Sequence, residues 1–111
     1  MAVYSNLTVD QGTDFTASVD VTDTDGDALN LTGFTVAGQV RRSYYSSTAV
    51  NLTCAVANAT SGVITVSLSA AQSDAMKPGR YVYDVEITNS GGVKTRVLEG
   101  QLEIMPGVTK I

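Results

Sequence analysis

The feature that most constrains this chain is a run of strictly alternating side chains near its C-terminus. The apolar positions of the run are Tyr81, Tyr83, Val85 and Ile87. Asp84 and Glu86 alternate with them, and because successive side chains of a strand point to opposite faces, the run predicts a half-buried β-strand. Residues 89–92 (NSGG) then supply the types that tolerate a tight reversal, so residues 93–104 are predicted to return as a second strand. A chain with this hairpin is expected to build a sheet with one buried and one polar face.

Composition limits the rest of the fold to one modest core. The chain has 111 residues, 43% of them hydrophobic and only 6% aromatic, with no Trp, so we expect a single domain whose core consists mainly of Val, Leu and Ile. The single cysteine, Cys54, excludes an intrachain disulfide, and its alternation with Leu52 and Val56 indicates a small buried side chain. The absence of histidine excludes the common nucleophile–histidine pairs and histidine metal sites.

Short alternating segments separated by turn residues continue along the whole chain. Strands are predicted at residues 6–9, 15–21, 34–40, 48–56 and 62–68, ahead of the hairpin. The single helical candidate covers residues 69–76, where Ser69 and Gln72 have the spacing of a capping box and Pro78 follows. About seven short strands indicate an all-β fold, an immunoglobulin-like Greek-key β-sandwich, with a small closed barrel as the alternative. The domain is taken as residues 1–111, with arms at 1–5 and 105–111 that lack the strand periodicity.

Charge is distributed unevenly along the chain. The net charge is −4, but residues 1–40 contain six Asp and no Lys or Arg, whereas residues 41–111 contain seven basic and five acidic groups. An acidic chain is a poor partner for nucleic acid. We interpret the acidic part either as a solvated edge or as a surface that meets a basic partner, such as a neighbouring copy. The first residues contain no basic region and no long apolar run, so we expect no signal peptide and no membrane segment.

The aspartates of the 22–27 segment are the one pattern that resembles a metal site. Asp23, Asp25 and Asp27 have the spacing of the first three ligands of a calcium loop. That loop requires Gly at its sixth position and Glu at its twelfth, where this chain has Ala28 and Phe34. A hairpin turn is therefore the favoured interpretation; cation binding at this turn stays open, and no cofactor is predicted.

Carboxylates on the hairpin offer a second candidate site. Asp84 and Glu86 share the outward face of one strand, and Glu99 and Glu103 are expected to lie across from them. Paired carboxylates can hydrolyse glycosides, but that chemistry needs a cleft and an acid with a raised pKa. Ion pairs of these carboxylates with Arg80, Lys94 or Arg96 are the favoured interpretation, so the chain is not expected to be an enzyme.

Two further segments are candidates for contact with a partner. Tyr and Arg are enriched at interface hot spots, and they meet here in Arg41, Arg42, Tyr44 and Tyr45, although the same segment also suits a solvated loop. The C-terminal arm places Met105, Val108 and Ile111 outside the strand pattern, where they can fray or add to a neighbour's sheet.

Six segments follow one another along the chain: residues 7–15 (LTVDQGTDF), 25–34 (DGDALNLTGF), 36–41 (VAGQVR), 68–72 (LSAAQ), 78–86 (PGRYVYDVE) and 96–104 (RVLEGQLEI). Taken in order, they resemble a family of small β-sandwich proteins of tailed bacteriophages. Each motif is weak alone, but the ordered set spans nearly the whole chain. It is similar to virion proteins of T4-like cyanophages and to the tail-attached N-terminal domain of some baseplate proteins.

The resemblance implies a non-enzymatic particle component that is present in many copies. It implies other phage structural proteins as partners, namely major capsid or tail and baseplate proteins, with the chain made in the host cytoplasm and located in the virion. Capsid decoration and a tail or baseplate adaptor are both compatible with it, and it transfers no catalytic residues. A carbohydrate- or host-receptor-binding module, suggested by Tyr44 and Tyr45, is the alternative.

Overall fold

A computed structural model describes residues 3–23 and 25–108 of the chain. The eight strands of this part are β1 (Val3–Tyr4), β2 (Leu7–Asp10), β3 (Phe15–Asp20), β4 (Thr35–Arg41), β5 (Val50–Asn58), β6 (Val63–Leu68), β7 (Gly79–Thr88) and β8 (Lys94–Met105). One short helix, α1 (Ala70–Ala75), lies between β6 and β7. The all-β class and the single helix of the sequence analysis are thus confirmed.

The strands follow one hydrogen-bonded path, in the order β1-β8-β7-β4-β5-β6-β3, and β2 also pairs with β8. Strand β5 joins the two halves of this path: Val50 and Leu52 pair with β4, whereas Thr53 to Asn58 pair with β6. The sheet curls into a half-barrel around the apolar side chains. Because one strand is shared between the two halves, the strands are not divided into two separate sheets, and the immunoglobulin-like sandwich stays a prediction.

The half-barrel encloses a single apolar cluster. Its fully buried members with less than 2% exposure include Ile64 and Val66 of β6, Val85 of β7, and Leu102 and Ile104 of β8. These residues come from both halves of the sheet and occupy alternate positions of their strands, which is the period that β geometry requires. The core is aliphatic, as the composition predicted, with Tyr83 as its one buried aromatic side chain in the described residues.

The hairpin of β7 and β8 has the alternation that the sequence predicts, with one irregularity. Asp84 lies opposite Glu99, and Glu86 lies opposite Arg96, so the register shifts by one residue on β8. At this β-bulge, two consecutive residues of β8, Val97 and Leu98, take the place of one residue in the pairing, and both are buried. The extra residue shifts the in–out alternation of β8 by one position. Arg96 and Glu99, which are three residues apart, therefore both point to the outward face.

Helix α1 is fixed at its start by the predicted capping box. The hydroxyl of Ser69 accepts a hydrogen bond from the amide of Gln72, and the Gln72 side chain accepts one from the amide of Ser69. Within the helix, the hydroxyl of Ser73 is fully buried, accepts a hydrogen bond from the Gly12 amide at 3.1 Å and donates to the Thr13 carbonyl at 2.8 Å. The helix is thereby attached to the turn between β2 and β3.

The N-terminal arm is part of the sheet. Val3 and Tyr4 pair in parallel with Leu98 and Glu99 of β8. The next carbonyl, that of Ser5, accepts a hydrogen bond of 2.6 Å from the buried Tyr83 hydroxyl. In the described residues, no helix is long and apolar enough to cross a membrane.

Candidate functional site

The largest group of predicted site residues meets at a shallow hollow on the outward side of β4, β7 and β8. We call this surface the polar face; its members are Gln39, Arg41, Tyr44, Asp84, Glu86, Arg96 and Glu99. The hollow encloses about 350 Å³, within the range of small-ligand sites. The Arg41–Tyr45 segment and the hairpin carboxylates are separate candidates in the sequence, whereas the fold places Arg41 and Tyr44 beside the carboxylates because β4 and β7 are neighbours.

Arg96 organises the carboxylates of the polar face. Its Nε lies 3.3 Å from Oδ2 of Asp84, and its Nη1 lies 3.8 Å from Oε1 of Glu99. These are the ion pairs that the sequence analysis favoured over a catalytic pair. All three side chains are partly exposed, so the pairs contribute little stability, on the order of 0–1 kcal/mol each. Their main effect is to hold the carboxylates in a defined arrangement.

Arg41 connects the sheet to the loop above it. Its Nη1 donates a hydrogen bond of 2.6 Å to the Ser46 carbonyl, and its Nη2 donates one of 3.0 Å to Oε1 of Gln39. Gln39 in turn donates to the side chain of Asn51 on β5 at 2.9 Å. This chain of hydrogen bonds holds the loop that carries Tyr44, whose ring is 74% exposed at the edge of the hollow.

Two members of the predicted Arg–Tyr segment lie elsewhere. The guanidinium of Arg42 stacks over the ring of Tyr81, 4.8 Å from its centroid, away from the polar face. This cation–π contact gives Arg42 a structural role. Tyr45 is 96% exposed and does not line the hollow, so it remains a contact residue only as a prediction.

Two of the three apolar residues predicted for the C-terminal arm lie within the described residues. Met105 is the last residue of β8 and is partly exposed, and Val108 is 97% exposed. Ile111 lies outside the described residues. The arm of residues 105–111 predicted from the sequence therefore begins one residue later in the structure, at Pro106.

The 22–27 segment forms the turn that was favoured over a calcium loop. Thr22 and Ala28 make an isolated antiparallel bridge, and the Asp23 carboxylate accepts hydrogen bonds from the amides of Asp25 and Asp27. The spacing of the aspartates is explained by this turn. Among residues 3–23 and 25–108, no group of three or more possible metal ligands is found.

Gln39 and Asn51 belong to the hydrogen-bonded network but were not predicted as site residues, and Arg96 was predicted only as one of three possible ion-pair partners. Gln39 alternates with the apolar residues of β4, so its outward direction could be read from the sequence. Its position beside the hairpin carboxylates could not, because it depends on β4 pairing with β7 across a long stretch of chain. Glu103 lies opposite Arg80 at the far end of the hairpin, outside the hollow.

Cys54 does not line the polar face. Burial raises the pKa of its thiol to about 11, so the nucleophilic thiolate is scarce at neutral pH. Its sulfur packs close to Gly38 on the neighbouring strand. The sequence pattern predicted a small buried side chain, and the structure leaves Cys54 half-buried, less enclosed than Leu52 of the same strand.

The polar face combines positively charged hydrogen-bond donors and negatively charged acceptors with an exposed aromatic ring. Two guanidinium groups and three carboxylates line the hollow, together with the Gln39 amide. Such a surface can bind polar groups of a protein or a sugar. Its carboxylates lie on an open sheet face, which suits contact better than chemistry that requires exclusion of water.

No protein-family model matches this sequence, and a search of curated proteins gives no match. Among solved structures, an internalin-like protein of Listeria monocytogenes is similar over 96% of this chain, with 15% identity and a TM-score of 0.47. A family 123 glycoside hydrolase from Clostridium perfringens is similar over 97% of it, with 13% identity and a TM-score of 0.44. This chain spans only 28% and 24% of the lengths of those two chains.

Proposed function

We propose that this chain is a non-enzymatic structural protein of a tailed-phage virion, bound in many copies as a capsid decoration protein or as a tail or baseplate adaptor. The observation that carries the proposal is the ordered set of six segments that resembles such proteins. Five of the six contribute residues to β2, β3, β4, β6, α1, β7 or β8, and thus to the framework of the domain. The resemblance therefore concerns the framework as a whole rather than one local motif.

The arrangement of the polar face supports a binding role over a catalytic one. Arg96 ties Asp84 and Glu99 together on an open surface, and the helix and the N-terminal arm are occupied with structural hydrogen bonds. A shallow, open sheet face with charges of both signs can match a charged protein surface and fix the orientation of binding. We assign this role to the polar face, with a capsid or tail protein as its partner.

Cryo-electron microscopy of the purified particle tests the proposal. Density for the half-barrel in a regular array over the capsid would identify a decoration protein, and a ring at the tail would identify an adaptor. Absence of the chain from the particle, by both microscopy and mass spectrometry, would overturn the proposal. Adding the purified chain back to particles that lack it should restore the density, and Arg96→Glu, which reverses the central charge of the polar face, should reduce the occupancy.

A carbohydrate- or host-receptor-binding module is the second candidate, and it is favoured by one specific observation. The exposed ring of Tyr44 stands at the edge of a 350 Å³ hollow that contains carboxylates and guanidinium groups. An aromatic ring can stack on a sugar, and carboxylate and guanidinium groups pair with its hydroxyls.

The neighbouring tyrosines provide a matched test of this second candidate. A glycan array would be screened with the chain and with its Tyr44→Ala and Tyr45→Ala variants. The second candidate expects binding that Tyr44→Ala abolishes and Tyr45→Ala retains, because only Tyr44 lines the hollow. Binding that is absent from the array, or equally sensitive to both substitutions, would count against a sugar site at the polar face.

A further inference from the structure

Strand β3 forms one end of the sheet and has a partner strand on only one of its two sides within the described residues. The hydrogen-bonded path ends at β3, which pairs with β6 through all of its residues, Phe15–Asp20. Within the same part of the chain, β6 is the one element with which β3 makes extensive contact. We call the other side of β3 the open edge.

The backbone groups that point to the open edge can be identified from the ladder with β6. The Val21 amide donates a hydrogen bond of 2.7 Å to the carbonyl of Gly62, which lies directly across from it in the register of the two strands. In an antiparallel ladder, residues that exchange hydrogen bonds with the partner strand alternate with residues whose N–H and C=O groups point away from it. The backbone groups of Thr16, Ser18 and Asp20 therefore point to the open edge.

Strand β3 lacks the features that usually protect the edge of a sheet. Edge strands are commonly very short, interrupted by a bulge, or marked by Lys or Pro. The other end of the path has this character, since β1 and β2 are strands of two and four residues. Strand β3, by contrast, keeps an unbroken register with β6 over six residues and contains neither Lys nor Pro. Its open edge is therefore suited to binding by strand addition.

The inward side chains of β3 are only partly covered. Phe15, Ala17 and Val19 pack against the apolar cluster and are half-buried, whereas Ile64 and Val66 of the neighbouring β6 are fully buried. The apolar core thus continues to the open edge and is left partly uncovered there. An added strand with an apolar side chain at every second position would cover it.

The surroundings of β3 are acidic. The strand and the turns on either side of it, residues 10–34, contain six Asp and no Lys or Arg, and β6 contains no charged residue. Asp14 and Asp20, at the two ends of β3, are both exposed. A basic segment matches this charge. The same edge of a second copy does not, because pairing the two would bring aspartates together.

We propose that the open edge of β3 binds an extended segment of another protein, in which apolar and basic side chains alternate. The segment forms backbone hydrogen bonds with Thr16, Ser18 and Asp20. Its apolar side chains extend the core beside Val19, and its basic side chains lie on the outward side with Asp20. This surface lies in the other half of the sheet from the polar face, and it does not depend on the proposed function.

A synthetic peptide tests the proposal. The probe is a capped octapeptide of alternating valine and lysine, titrated into the isotope-labelled chain and followed by NMR and calorimetry. The amides of Thr16 and Ser18 should shift and become protected from hydrogen exchange, whereas those of Ala17 and Val19 are already bonded to β6.

Two peptides control for charge and for strand formation. One has glutamate in place of lysine and is repelled by the aspartates. The other has proline in place of valine, so it keeps the positive charge but cannot form a strand. Both should bind at least about tenfold more weakly than the valine–lysine peptide.

Substitutions at Ser18 separate backbone pairing from charge. Ser18→Pro removes an amide that points to the open edge, where proline is tolerated because the ladder with β6 does not use that amide. It should weaken binding of the valine–lysine peptide by about tenfold. Ser18→Val keeps the amide and should bind as the unmodified chain does. Circular dichroism of both variants confirms that the sheet is retained.

A second pair of variants tests the charge. Asp20→Asn should weaken binding several-fold at low salt, and its difference from the unmodified chain should shrink at high salt. Glu103→Gln removes one negative charge at an exposed position of β8, in the other half of the sheet, and should bind as the unmodified chain does.

The proposal is overturned if the valine–lysine peptide does not bind at millimolar concentration, if the proline–lysine peptide binds equally well, or if Ser18→Pro binds normally. Self-association that Ser18→Pro abolishes would assign the open edge to a second copy and also overturn it. So would binding that appears only after deletion of residues 1–2 or 109–111, because the edge would then belong to the chain's own ends. These outcomes are independent of the particle microscopy: a chain present on the virion that does not bind the peptide would retain the proposed function and lose this surface.

Discussion

At Gly100 the N-terminal arm passes directly over β8, and only a hydrogen atom fits beneath it. A Cβ built on Gly100 would overlap the carbonyl of Ser5. That carbonyl accepts the hydrogen bond from Tyr83, and the Ser5 amide donates one of 2.8 Å to Glu99. The glycine therefore permits the two hydrogen bonds that hold the arm against the sheet.

Gly100→Ala is expected to displace the arm and to destabilise the protein by about 2 kcal/mol, because a buried hydroxyl loses its acceptor and one backbone hydrogen bond is lost. Urea unfolding at neutral pH measures the change. Gly91→Ala, in the exposed turn between β7 and β8, is the control and should cost less than about 0.5 kcal/mol. Equal stabilities of the two variants would show that the arm contributes nothing to folding.

Tyr83 should make stability fall at alkaline pH. Burial raises the pKa of this phenol from 10.0 to about 12, so the folded state keeps the proton that the unfolded state releases. For an acid whose pKa is raised by folding, the stabilisation is complete below the unfolded pKa and is lost as pH rises from about 10 to about 12. The free energy of unfolding should therefore decrease as the pH rises between these two values.

Urea unfolding of the chain and of Tyr83→Phe at pH 8, 10 and 11 measures this slope. The unmodified chain should lose more stability over the series than Tyr83→Phe, by on the order of 1–2 kcal/mol. Cys54, with its pKa of about 11, adds the same decline to both and cancels in the comparison. Tyr45→Phe should retain the full slope, because Tyr45 is exposed. Identical slopes for all three chains would contradict a raised pKa at Tyr83.

At the scale of single elements, helix α1 is attached to the turn between β2 and β3 by several hydrogen bonds, two of them through one buried hydroxyl. Ser73 is the only fully buried polar side chain in the described part of the chain, and it joins the helix to the amide of Gly12 and the carbonyl of Thr13. A helix of six residues is too short to be stable by propensity, so its capping box and its contacts with the turn stabilise it. Besides the Ser73 bonds, these contacts include the Ala70 amide donating to Asp14 and the Gln11 side chain donating to the Met76 carbonyl.

Ser73→Ala should therefore destabilise the protein by about 1–3 kcal/mol, because the amide of Gly12 is left without an acceptor. Amide hydrogen exchange should accelerate at Gly12 and throughout α1. Ser47→Ala, in the exposed loop after β4, is the matched control and should change neither quantity. Unchanged exchange at Gly12 in Ser73→Ala would contradict the attachment.

The elements that could be predicted are those whose pattern is local. The alternation in residues 81–87 and the Ser69–Gln72 pair specify β7 and α1 without reference to the rest of the chain. The bulge at Val97 and Leu98 could not be predicted, because both residues are apolar and either can face the core. The two-residue strand β1 also escaped prediction, since its partner, β8, lies at the other end of the sequence.

The candidate site shows the same division between local and long-range information. Neighbouring residues in the sequence were enough to place Tyr44 in a loop and Glu86 on the outward face of a strand. Their juxtaposition depends on β4 pairing with β7, which joins segments that are far apart in the sequence. Such pairings are set by how all the strands share one core, and no local pattern contains them.

At the scale of the whole molecule, the sharing of β5 between the two halves predicts that they unfold together. Val50 and Leu52 of β5 pair with β4, while its later residues pair with β6. The apolar cluster likewise includes residues of β6, β7 and β8. One half could unfold without the other only if the pairing of β5 and the packing of the common core were both broken.

Ile64→Ala tests this cooperativity. Ile64 is fully buried in β6, and its truncation should cost about 2–5 kcal/mol through lost apolar burial and a residual cavity. Because the core is shared, the slowest-exchanging amides of β7 and β8 should lose as much protection as those of β6. Thr65→Ala, on the outward side of the same strand, is the control and should leave protection nearly unchanged. Loss of protection confined to β3, β5 and β6 would mean that the half-barrel consists of two independently unfolding parts, joined but not coupled by β5.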